Sequence, residues 1–432
     1  MSRKNRVLLH GAVFAGTLIF LWLLLTGAAA IPNEALKQNM IRSALSYKDR
    51  DPFSFENGGK WNAISDNYAD VILLNLSWNM GRGDPFLCAL DTWYYSGEEL
   101  GENGGFYLAV TEEDTEPDTD YTRYWHGTGL MVRVCHLFTD VEGMKTVGFA
   151  AVLVLALGTA GILAARGHYD MVACLFLSMA AVQIWNIRLS LEYEPAFVIC
   201  FLLCPLYLIL ERKGDTWLTC LSVAGGVMTA FFDFLTTETA VILVPLLLVT
   251  AVRAREGRMG TFREGFGVVF WCVFCWLLGY GGTFVAKWTA VSLITGENRF
   301  RLAAYWAEKR INGGLPGETP SSLPIRMLSA AAANLTVMFG GCSRVEWSGV
   351  VRGFLIFLCV PVFLPCLYSG DKRNREAGGI LCLLGAAVFV RYLVLSNHSW
   401  LHAFFTYRAL ISPVLAVFLI MALTMEFPGR KR

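Results

Sequence analysis

The chain has 432 residues, of which 55% are hydrophobic and 16% are charged, and its formal net charge is +1 at pH 7. Ordinary soluble domains carry roughly 25% charged residues, so this composition argues against a water-soluble protein. No nucleic-acid-binding motif is present, and we expect no nucleic-acid partner.

Apolar residues occur in runs of about 17 to 25, the length at which a helix crosses a hydrocarbon core of roughly 30 Å. Backbone amides in lipid must be satisfied within their own segment, so these runs predict transmembrane helices. The predicted fold is all-α, a polytopic transmembrane bundle of about ten spans with a large external first loop that carries interfacial helices. The predicted spans are 7–30, 146–165, 169–187, 195–210, 216–232, 237–252, 266–290, 350–368, 378–395 and 407–425.

The first span follows a basic N-terminus, as the apolar region of a cleaved signal peptide does. The apolar run from Val7 to Ile31 is longer than a usual signal region. This length favours an uncleaved first helix, with cleavage as the alternative.

Basic residues stay on the cytoplasmic side of a membrane, so their positions orient the spans. With the N-terminus inside, every compact basic run falls inside, and so does the C-terminus. We therefore predict a multi-pass protein of the cell membrane with both termini cytoplasmic. The basic runs after the first span contain Arg166, Arg212, Lys213, Arg253, Arg255, Arg258, Arg263, Lys372, Arg373, Arg375, Arg430, Lys431 and Arg432.

Segment 326–343 is moderately apolar but rich in alanine, glycine and polar residues. Counting it as a span would send one of the basic runs outward, so we predict a non-spanning helix on the external face. The chain then divides into five regions. They are a first helix (1–30), an external loop region (31–145), six spans (146–290), an external loop with the non-spanning helix (291–349), and three spans with a basic tail (350–432).

Two carboxylates stand one helical turn apart in the first loop, in the segment WNAISDNYADVILLNLSW at 61–78. In a helix, Asp66 and Asp70 share one face, and the isoleucine and leucines at 72–76 form an apolar face suited to the membrane interface. The pair can hold a divalent cation, or one carboxylate can act as general base while the other tunes its pKa. The alternative is a pair of solvated helix acids.

A basic and aromatic run precedes the second span, with Arg123, Tyr124, Trp125 and His126 in succession. Such residues usually form an interfacial belt. The three rings can instead stack on a sugar, and the arginine offers a fork suited to phosphate.

Further ionisable residues lie in or beside the other predicted external turns. Charges near lipid are costly, so they indicate a substrate-binding site unless they form internal salt bridges or snorkel to the interface. His398 and His402 are spaced i, i+4 like a metal pair but lack the glutamate of a zincin motif, which makes the metal signal weak. The metal and any cofactor stay unassigned, with a divalent cation as an open alternative. Arg408 lies near the membrane end of the last predicted span, where a lipid phosphate would be. These residues are Glu192, Asp233, Lys287, Arg299, His398, His402 and Arg408.

The arrangement resembles the multi-spanning GT-C-type glycosyltransferases. Those enzymes have a cytoplasmic N-terminus, a first span, a large external first loop with interfacial helices and an acidic catalytic residue, and then a bundle of spans. Four segments also look like motifs of bacterial polytopic membrane proteins grouped near that fold: DNYAD (66–70), RYWHG (123–127), FFDFLTTE (231–238) and NHSWLHAFFTYR (397–408).

The resemblance implies transfer of a sugar from a polyprenyl-phosphate carrier to an acceptor on the non-cytoplasmic face, with membrane lipids and the lipid-linked sugar as partners. Asp66 or Asp70 would act as acid or base on the acceptor hydroxyl, while the external arginines and histidines would hold the carrier phosphate. The chain departs from the family because its acidic pair lies well into the loop, whereas many members carry theirs close behind the first span.

Two other interpretations remain open. A transporter or flippase of a lipid-linked or anionic solute would place charges near the membrane midplane and break helices there. The predicted charges collect at one interface instead, which favours an enzyme. A non-catalytic membrane scaffold is the third interpretation.

Overall fold

The computed structural model describes residues 2–97, 100–112, 114–233, 235–313, 322–359 and 372–424, and this part of the chain is almost entirely helical. The all-α prediction is confirmed. Two short antiparallel strand pairs join β1 (Phe53–Phe55) to β2 (Ile64–Asp66) and β3 (Trp93–Tyr94) to β4 (Thr119–Asp120). The helices are α1 (Arg3–Ala29), α2 (Asn33–Tyr47), α3 (Asn67–Asn79), α4 (Pro85–Cys88), α5 (Gly101–Thr111), α6 (Thr128–Cys135), α7 (Val141–Ala165), α8 (Tyr169–Ala181), α9 (Pro195–Leu210), α10 (Asp215–Phe232), α11 (Glu238–Arg255), α12 (Phe262–Thr295), α13 (Arg299–Asn312), α14 (Leu323–Met338), α15 (Trp347–Phe354), α16 (Lys372–Val394), α17 (Ser396–Leu401), α18 (Ala403–Thr406) and α19 (Ile411–Thr424).

Within the described ranges, six helices are long and apolar enough to cross a membrane, by length and composition. The other four predicted spans also contain helices, but α8 has only 13 residues, α15 has 8, and the 18-residue helices α10 and α11 include charged residues. The end of the predicted span 350–368 and the basic tail lie outside the described residues. The six are Lys4–Ala29, Val141–Ala165, Leu191–Leu210, Phe262–Thr295, Lys372–Val394 and Ala403–Thr424.

One end of the helix bundle, here called the basic end, carries a network of ion pairs. The buried carboxylate of Glu211, just after α9, contacts Arg166 after α7 at 3.1 Å and Arg258 after α11 at 2.6 Å. The start of α16 joins this end, because Glu376 accepts a hydrogen bond from the Phe262 N–H at the start of α12. These contacts bring the ends of several helices together.

α10 and α11 run from the basic end to the opposite end, here called the loop end. α10 begins with Asp215, which pairs with Arg253 at 2.9 Å at the basic end. α11 begins at the loop end with Glu238, whose carboxylate accepts from Arg391 Nε at 2.8 Å, and both of these residues are buried. At 1.5 Å per residue, each 18-residue helix is roughly 27 Å long.

The helices of the first loop pack as a compact unit at the loop end. α2, α3 and α5 share an apolar cluster in which Leu36, Leu74 and Phe106 are fully buried. The cluster also contains Val141 and Met144 of α7. The loop unit is therefore anchored on a candidate transmembrane helix.

α3 is a central helix of this unit, and not the interfacial helix that the sequence predicts. Its predicted lipid-facing residues, Ile72, Leu73, Leu74 and Leu76, are at most 4% exposed. Leu73 and Leu74 pack in the apolar cluster that α3 shares with α2, α5 and α6, and Ile72 and Leu76 pack with Tyr94 and Tyr121, so all four contact protein instead of lipid.

α14 covers most of segment 326–343, which the sequence predicts as a non-spanning helix. Its 16 residues are fewer than the roughly 20 that a helix needs to cross a bilayer. Buried Asn334 donates to the Ser399 carbonyl at 3.0 Å and accepts from Thr406 Oγ1 at 2.7 Å. These bonds join α14 to α17 and α18.

Glycines allow α10 and α12 to pack closely. A Cβ on Gly226 would lie 2.2 Å from the Trp276 carbonyl oxygen, and a Cβ on Gly279 would lie 2.3 Å from that of Val223. We expect Gly226→Ala to destabilise the protein by roughly 1–3 kcal/mol through overpacking. Gly281→Ala, in the same pair of helices, meets no atom within 4 Å and should be neutral or stabilising. Melting temperatures in detergent test this, and equal values for both variants would contradict the close packing.

Candidate functional site

A cavity of about 310 Å³, here called the Asp66 cavity, opens at the loop end between α3, α13, α17 and the segment 121–124. Six residues that the sequence singles out line it: Asp66, Arg123, Tyr124, Glu192, His398 and His402. The remaining lining residues are Phe53, Tyr68, Ala69, Ile72, Leu73, Tyr121, Trp306, Lys309, Arg310, Asn397, Leu401 and Phe405.

Asp66 is positioned by two local structures. It ends β2, paired with Phe53, and it is the N-cap of α3, where its Oδ1 accepts from the Ala69 N–H at 2.9 Å. Within the described chain, Oδ2 has no hydrogen bond and no ion pair. Burial raises the pKa of Asp66 to about 7; the charge of Asp70 adds to this increase, while the Ala69 N–H and Lys145 oppose it. Asp66 is therefore a carboxyl group able to gain or lose a proton near neutral pH.

Asp70 does not line the cavity, and both of its carboxylate oxygens are occupied by hydrogen bonds or an ion pair. Its Oδ2 accepts from Lys145 Nζ at 2.8 Å and from Tyr47 OH at 2.6 Å. Its Oδ1 accepts from Ser190 Oγ and from the next backbone N–H, both at 2.7 Å. Of the two predicted catalytic carboxylates, the geometry therefore favours Asp66, because Asp70 has no oxygen left for a substrate.

Glu192 supplies a second carboxylate to the cavity. It lies on the 3-10 turn Leu191–Tyr193, directly before α9, and its N–H donates to Ser190 Oγ at 3.2 Å. Its carboxylate forms neither a hydrogen bond nor an ion pair with any residue that the structure describes. Both cavity carboxylates thus remain open to a ligand.

Two arginines line the cavity without a carboxylate partner in the described part of the chain. The guanidinium carbon of Arg123 lies 3.8 Å from the ring centre of Tyr121 and 4.3 Å from that of Trp306. Arg310 donates from Nη2 to Tyr124 OH. Because Arg123 and Arg310 form no ion pair with a described carboxylate, the two arginines suit an anionic ligand.

His398 and His402 lie side by side at the cavity, with their ring centres 4.6 Å apart and their ring planes tilted by 48°. His398 donates from Nε2 to the Leu235 carbonyl at 3.0 Å, which leaves Nδ1 to accept from Arg310 Nη1 at 3.1 Å. Burial lowers the pKa of both rings, and the charge of Arg310 lowers it further, to about 3 for His402. Both rings are therefore neutral. Among the described residues, no three His, Cys, Asp or Glu side chains group closely enough to hold a metal ion.

Trp125 and Lys287, two predicted binding residues, lie away from the cavity. Trp125 donates from Nε1 to the Thr283 carbonyl at 2.8 Å. Lys287 Nζ donates to the Leu90 carbonyl and lies 5.3 Å from the centre of the Trp125 ring. Both side chains thus join the first loop to α12.

His126 and Asp233 are also outside the cavity lining. The Nε2 atom of His126 lies 2.7 Å from the Tyr121 carbonyl oxygen. Asp233 accepts from the Thr236 N–H at 3.1 Å and from the hydroxyl of the same residue. Both residues hold local turns next to the cavity.

Arg408 is enclosed by protein and does not reach the surface, where the sequence places it near a lipid phosphate. Its guanidinium carbon lies 4.5 Å from the ring centre of Tyr193 and 5.0 Å from that of Tyr407. The residue is 0% exposed, and its Nη2 donates to the Asn186 carbonyl at 3.3 Å. These contacts bury Arg408 inside the bundle.

Sequence reasoning does not single out Trp306 and Arg310 as site residues. They stand at i, i+4 in α13 and therefore share a face of that helix. This spacing is the signal that could have identified them, since it aligns a ring and a guanidinium on one side of α13.

Comparisons of the chain with known protein families, with curated proteins and with solved structures found no match.

Proposed function

We propose that this protein is an integral membrane glycosyltransferase, which transfers a sugar from a polyprenyl-phosphate carrier to an acceptor on the non-cytoplasmic face. One observation carries the proposal: the Asp66 cavity combines an open carboxyl group, whose pKa is about 7, with two arginines that lack a carboxylate partner in the described chain. The first group suits proton transfer, and the second suits a phosphate.

The reaction assigns a separate task to each group. The acceptor oxygen attacks the sugar carbon attached to the carrier, and the bond from that carbon to the phosphate oxygen breaks. The acceptor's proton passes to Asp66 Oδ2, which acts as general base. Arg123 and Arg310 stabilise the negative charge that leaves with the carrier phosphate. Glu192 is placed to accept hydrogen bonds from sugar hydroxyls.

The proposal places the loop end outside the cytoplasm and both termini inside, in the cell membrane, because the arginines of the basic end follow the positive-inside pattern. α10 and α11 would add two spans to the six, since helices enclosed by other helices can be less apolar than lipid-facing ones. α8 and α15 are too short to cross alone, so a bundle of about ten spans requires them to cross together with the helical turns that follow them, Ile184–Leu189 and Leu355–Cys359. Labelling with an impermeant thiol reagent tests the orientation. Glu116→Cys should be labelled more strongly than the parent protein in intact cells. Arg212→Cys should be labelled more strongly than the parent protein only after the cells are permeabilised. The reverse pattern would contradict the proposed orientation.

A transfer assay tests the function. Purified protein in liposomes is supplied with radiolabelled polyprenyl-phosphate sugars and an acceptor pool, and wild type should form product. Arg123→Gln and Arg310→Gln should each lower the rate about 100- to 1,000-fold, because each removes a charge that stabilises the leaving phosphate. Arg301→Gln, an exposed arginine of the same α13, should retain the wild-type rate.

The assay also separates the proposal from its main rival. Absence of turnover with every lipid-linked donor would contradict the enzyme. Movement of the unchanged labelled donor between leaflets in the same liposomes would then support a transporter or flippase.

A further inference from the structure

The ring of His398 has no nitrogen available for a substrate. An arginine can only donate, so His398 Nδ1 must accept from Arg310 Nη1, at 3.1 Å. The proton of the neutral ring then lies on Nε2, which donates to the Leu235 carbonyl at 3.0 Å. Because both nitrogens are used within the protein, the ring can act only through its neighbours, although it lines the Asp66 cavity.

The guanidinium of Arg310 is held from two sides. Its Nη1 donates to His398 Nδ1, and its Nη2 donates to Tyr124 OH. Two bonds on different nitrogens fix the plane of the group at the cavity lining. A guanidinium has five N–H groups, so donors remain for an anion.

The Leu235 carbonyl, which accepts from His398, is itself fixed by the helix bundle. Arg391 of α16 also donates to it from Nη2, and Arg391 Nε donates to the buried carboxylate of Glu238 at 2.8 Å. Leu235 has a φ of +66°, a left-handed conformation that is strained for a leucine. Such a conformation persists only where the surrounding contacts hold it. The acceptor for Nε2 is therefore fixed, and it fixes the orientation of the histidine ring.

Other bonds join the helices that carry the histidine and the arginine. Ser396 Oγ of α17 donates to the Ile311 carbonyl of α13 at 3.2 Å. Asn397 Nδ2 donates to the Lys309 carbonyl at 3.1 Å. Neither bond involves the ring of His398, so a change of that side chain should release the guanidinium it holds without separating the two helices.

We infer that His398 is a positioning residue, which holds the guanidinium of Arg310 in place for the carrier phosphate and does not itself contact the substrate. The inference rests on the proposed function, because that function supplies the phosphate. An unheld arginine side chain has many rotamers and loses this freedom when it binds a ligand. A guanidinium that is fixed in advance avoids this loss, so the phosphate binds more tightly.

Two amide variants separate the role of Nδ1 from that of Nε2. In His398→Asn, the amide oxygen lies as far along the side chain as Nδ1 and can accept from Arg310. In His398→Gln, the amide nitrogen lies as far along the side chain as Nε2 and can donate to the Leu235 carbonyl, but Arg310 loses its acceptor. A positioning role therefore predicts rescue by asparagine, whereas a purely structural role at Leu235 predicts rescue by glutamine.

Isothermal titration calorimetry on the full-length protein in detergent measures the affinity for geranyl phosphate, a short prenyl phosphate without a sugar. Wild type should bind it. His398→Asn should stay within about threefold of the wild-type affinity, and His398→Gln should bind about tenfold more weakly, a change of roughly 1.4 kcal/mol. Arg301→Gln, an exposed position of α13 outside the cavity lining, should bind like wild type.

A double variant tests whether His398 acts through Arg310. Arg310→Gln/His398→Gln should bind geranyl phosphate as weakly as Arg310→Gln alone, because the histidine then has no guanidinium to hold. A further loss in the double variant would overturn the inference. So would the absence of binding by wild type, equal affinities in the two amide variants, or rescue by glutamine instead of asparagine.

The transfer assay keeps this inference separate from the proposed function. Product formation by wild type together with equal affinities in the two amide variants would overturn the positioning role and leave the glycosyltransferase standing. Absence of transfer with every donor, together with rescue of binding by asparagine alone, would overturn the glycosyltransferase and support a phosphate site positioned by His398.

Discussion

Replacing Asp66 by asparagine should lower the rate of sugar transfer about 100- to 10,000-fold while leaving the fold intact. The carboxamide cannot take the acceptor's proton. It can still cap α3, because asparagine is as good an N-cap as aspartate, so the hydrogen bond from the Ala69 N–H is retained. The measurement is the initial rate of transfer of radiolabelled sugar, with the melting temperature recorded on the same preparation.

Asp84→Asn is the matched control for this variant. Asp84 is also an N-cap aspartate of the first loop, and it accepts from the N–H groups of Phe86 and Leu87, both at 3.0 Å. It lies outside the Asp66 cavity, so its substitution should leave the transfer rate unchanged. A substantial residual rate in Asp66→Asn, or an equal loss in Asp84→Asn, would contradict the assignment of the base.

The same assignment predicts how transfer depends on pH. Because burial raises the pKa of Asp66 to about 7, the carboxylate form is the minor species at lower pH and the major species at higher pH. Only the carboxylate can accept a proton, so the rate should rise with pH through an apparent pKa near 7. A rate that fell as pH rose across neutrality would mean that Asp66 acts as an acid instead.

The apolar runs predicted the positions of the long helices, because a helix that crosses a membrane must be apolar along most of its length. α1, α7 and α12 lie where the sequence predicts spans. α11 differs, because nearly all of its residues are buried by other helices and its ends carry charges that pair within the protein. For such an interior helix, neighbouring side chains rather than lipid determine which residues are allowed, so hydropathy is a weaker guide.

The candidate site was harder to predict because its contacts come from distant parts of the chain. The spacing of Asp66 and Asp70 puts both on one helix, but it cannot show that Lys145 of α7 pairs with the second of them. Arg310 lies in a predicted external loop and Arg408 at the start of a predicted span, and both carry the same charge. In the folded protein Arg408 is enclosed between two tyrosines, whereas Arg310 lines the cavity. The residues next to each arginine in the sequence do not predict these environments.

Lys145→Met should lower the free energy of unfolding by about 3–5 kcal/mol. The side chains of Lys145 and Asp70 are 4% and 0% exposed, and their charged atoms lie 2.8 Å apart. Removal of the ammonium group leaves a buried carboxylate with only neutral donors, since Tyr47 and Ser190 cannot offset its charge. Equilibrium unfolding by denaturant in detergent micelles measures this loss.

The double variant Lys145→Met/Asp70→Leu separates the cost of a lone buried charge from the cost of lost packing. No charge remains unpaired in it, so its loss of stability should be smaller than the sum of the losses in the two single variants. Arg50→Met is the matched control, because Arg50 pairs with Glu142 of the same helix at 3.8 Å in a partly exposed setting. That pair should contribute only about 0–1 kcal/mol. Strict additivity in the double variant, or an equal loss in Arg50→Met, would show that Asp70 and Lys145 do not act as a buried ion pair.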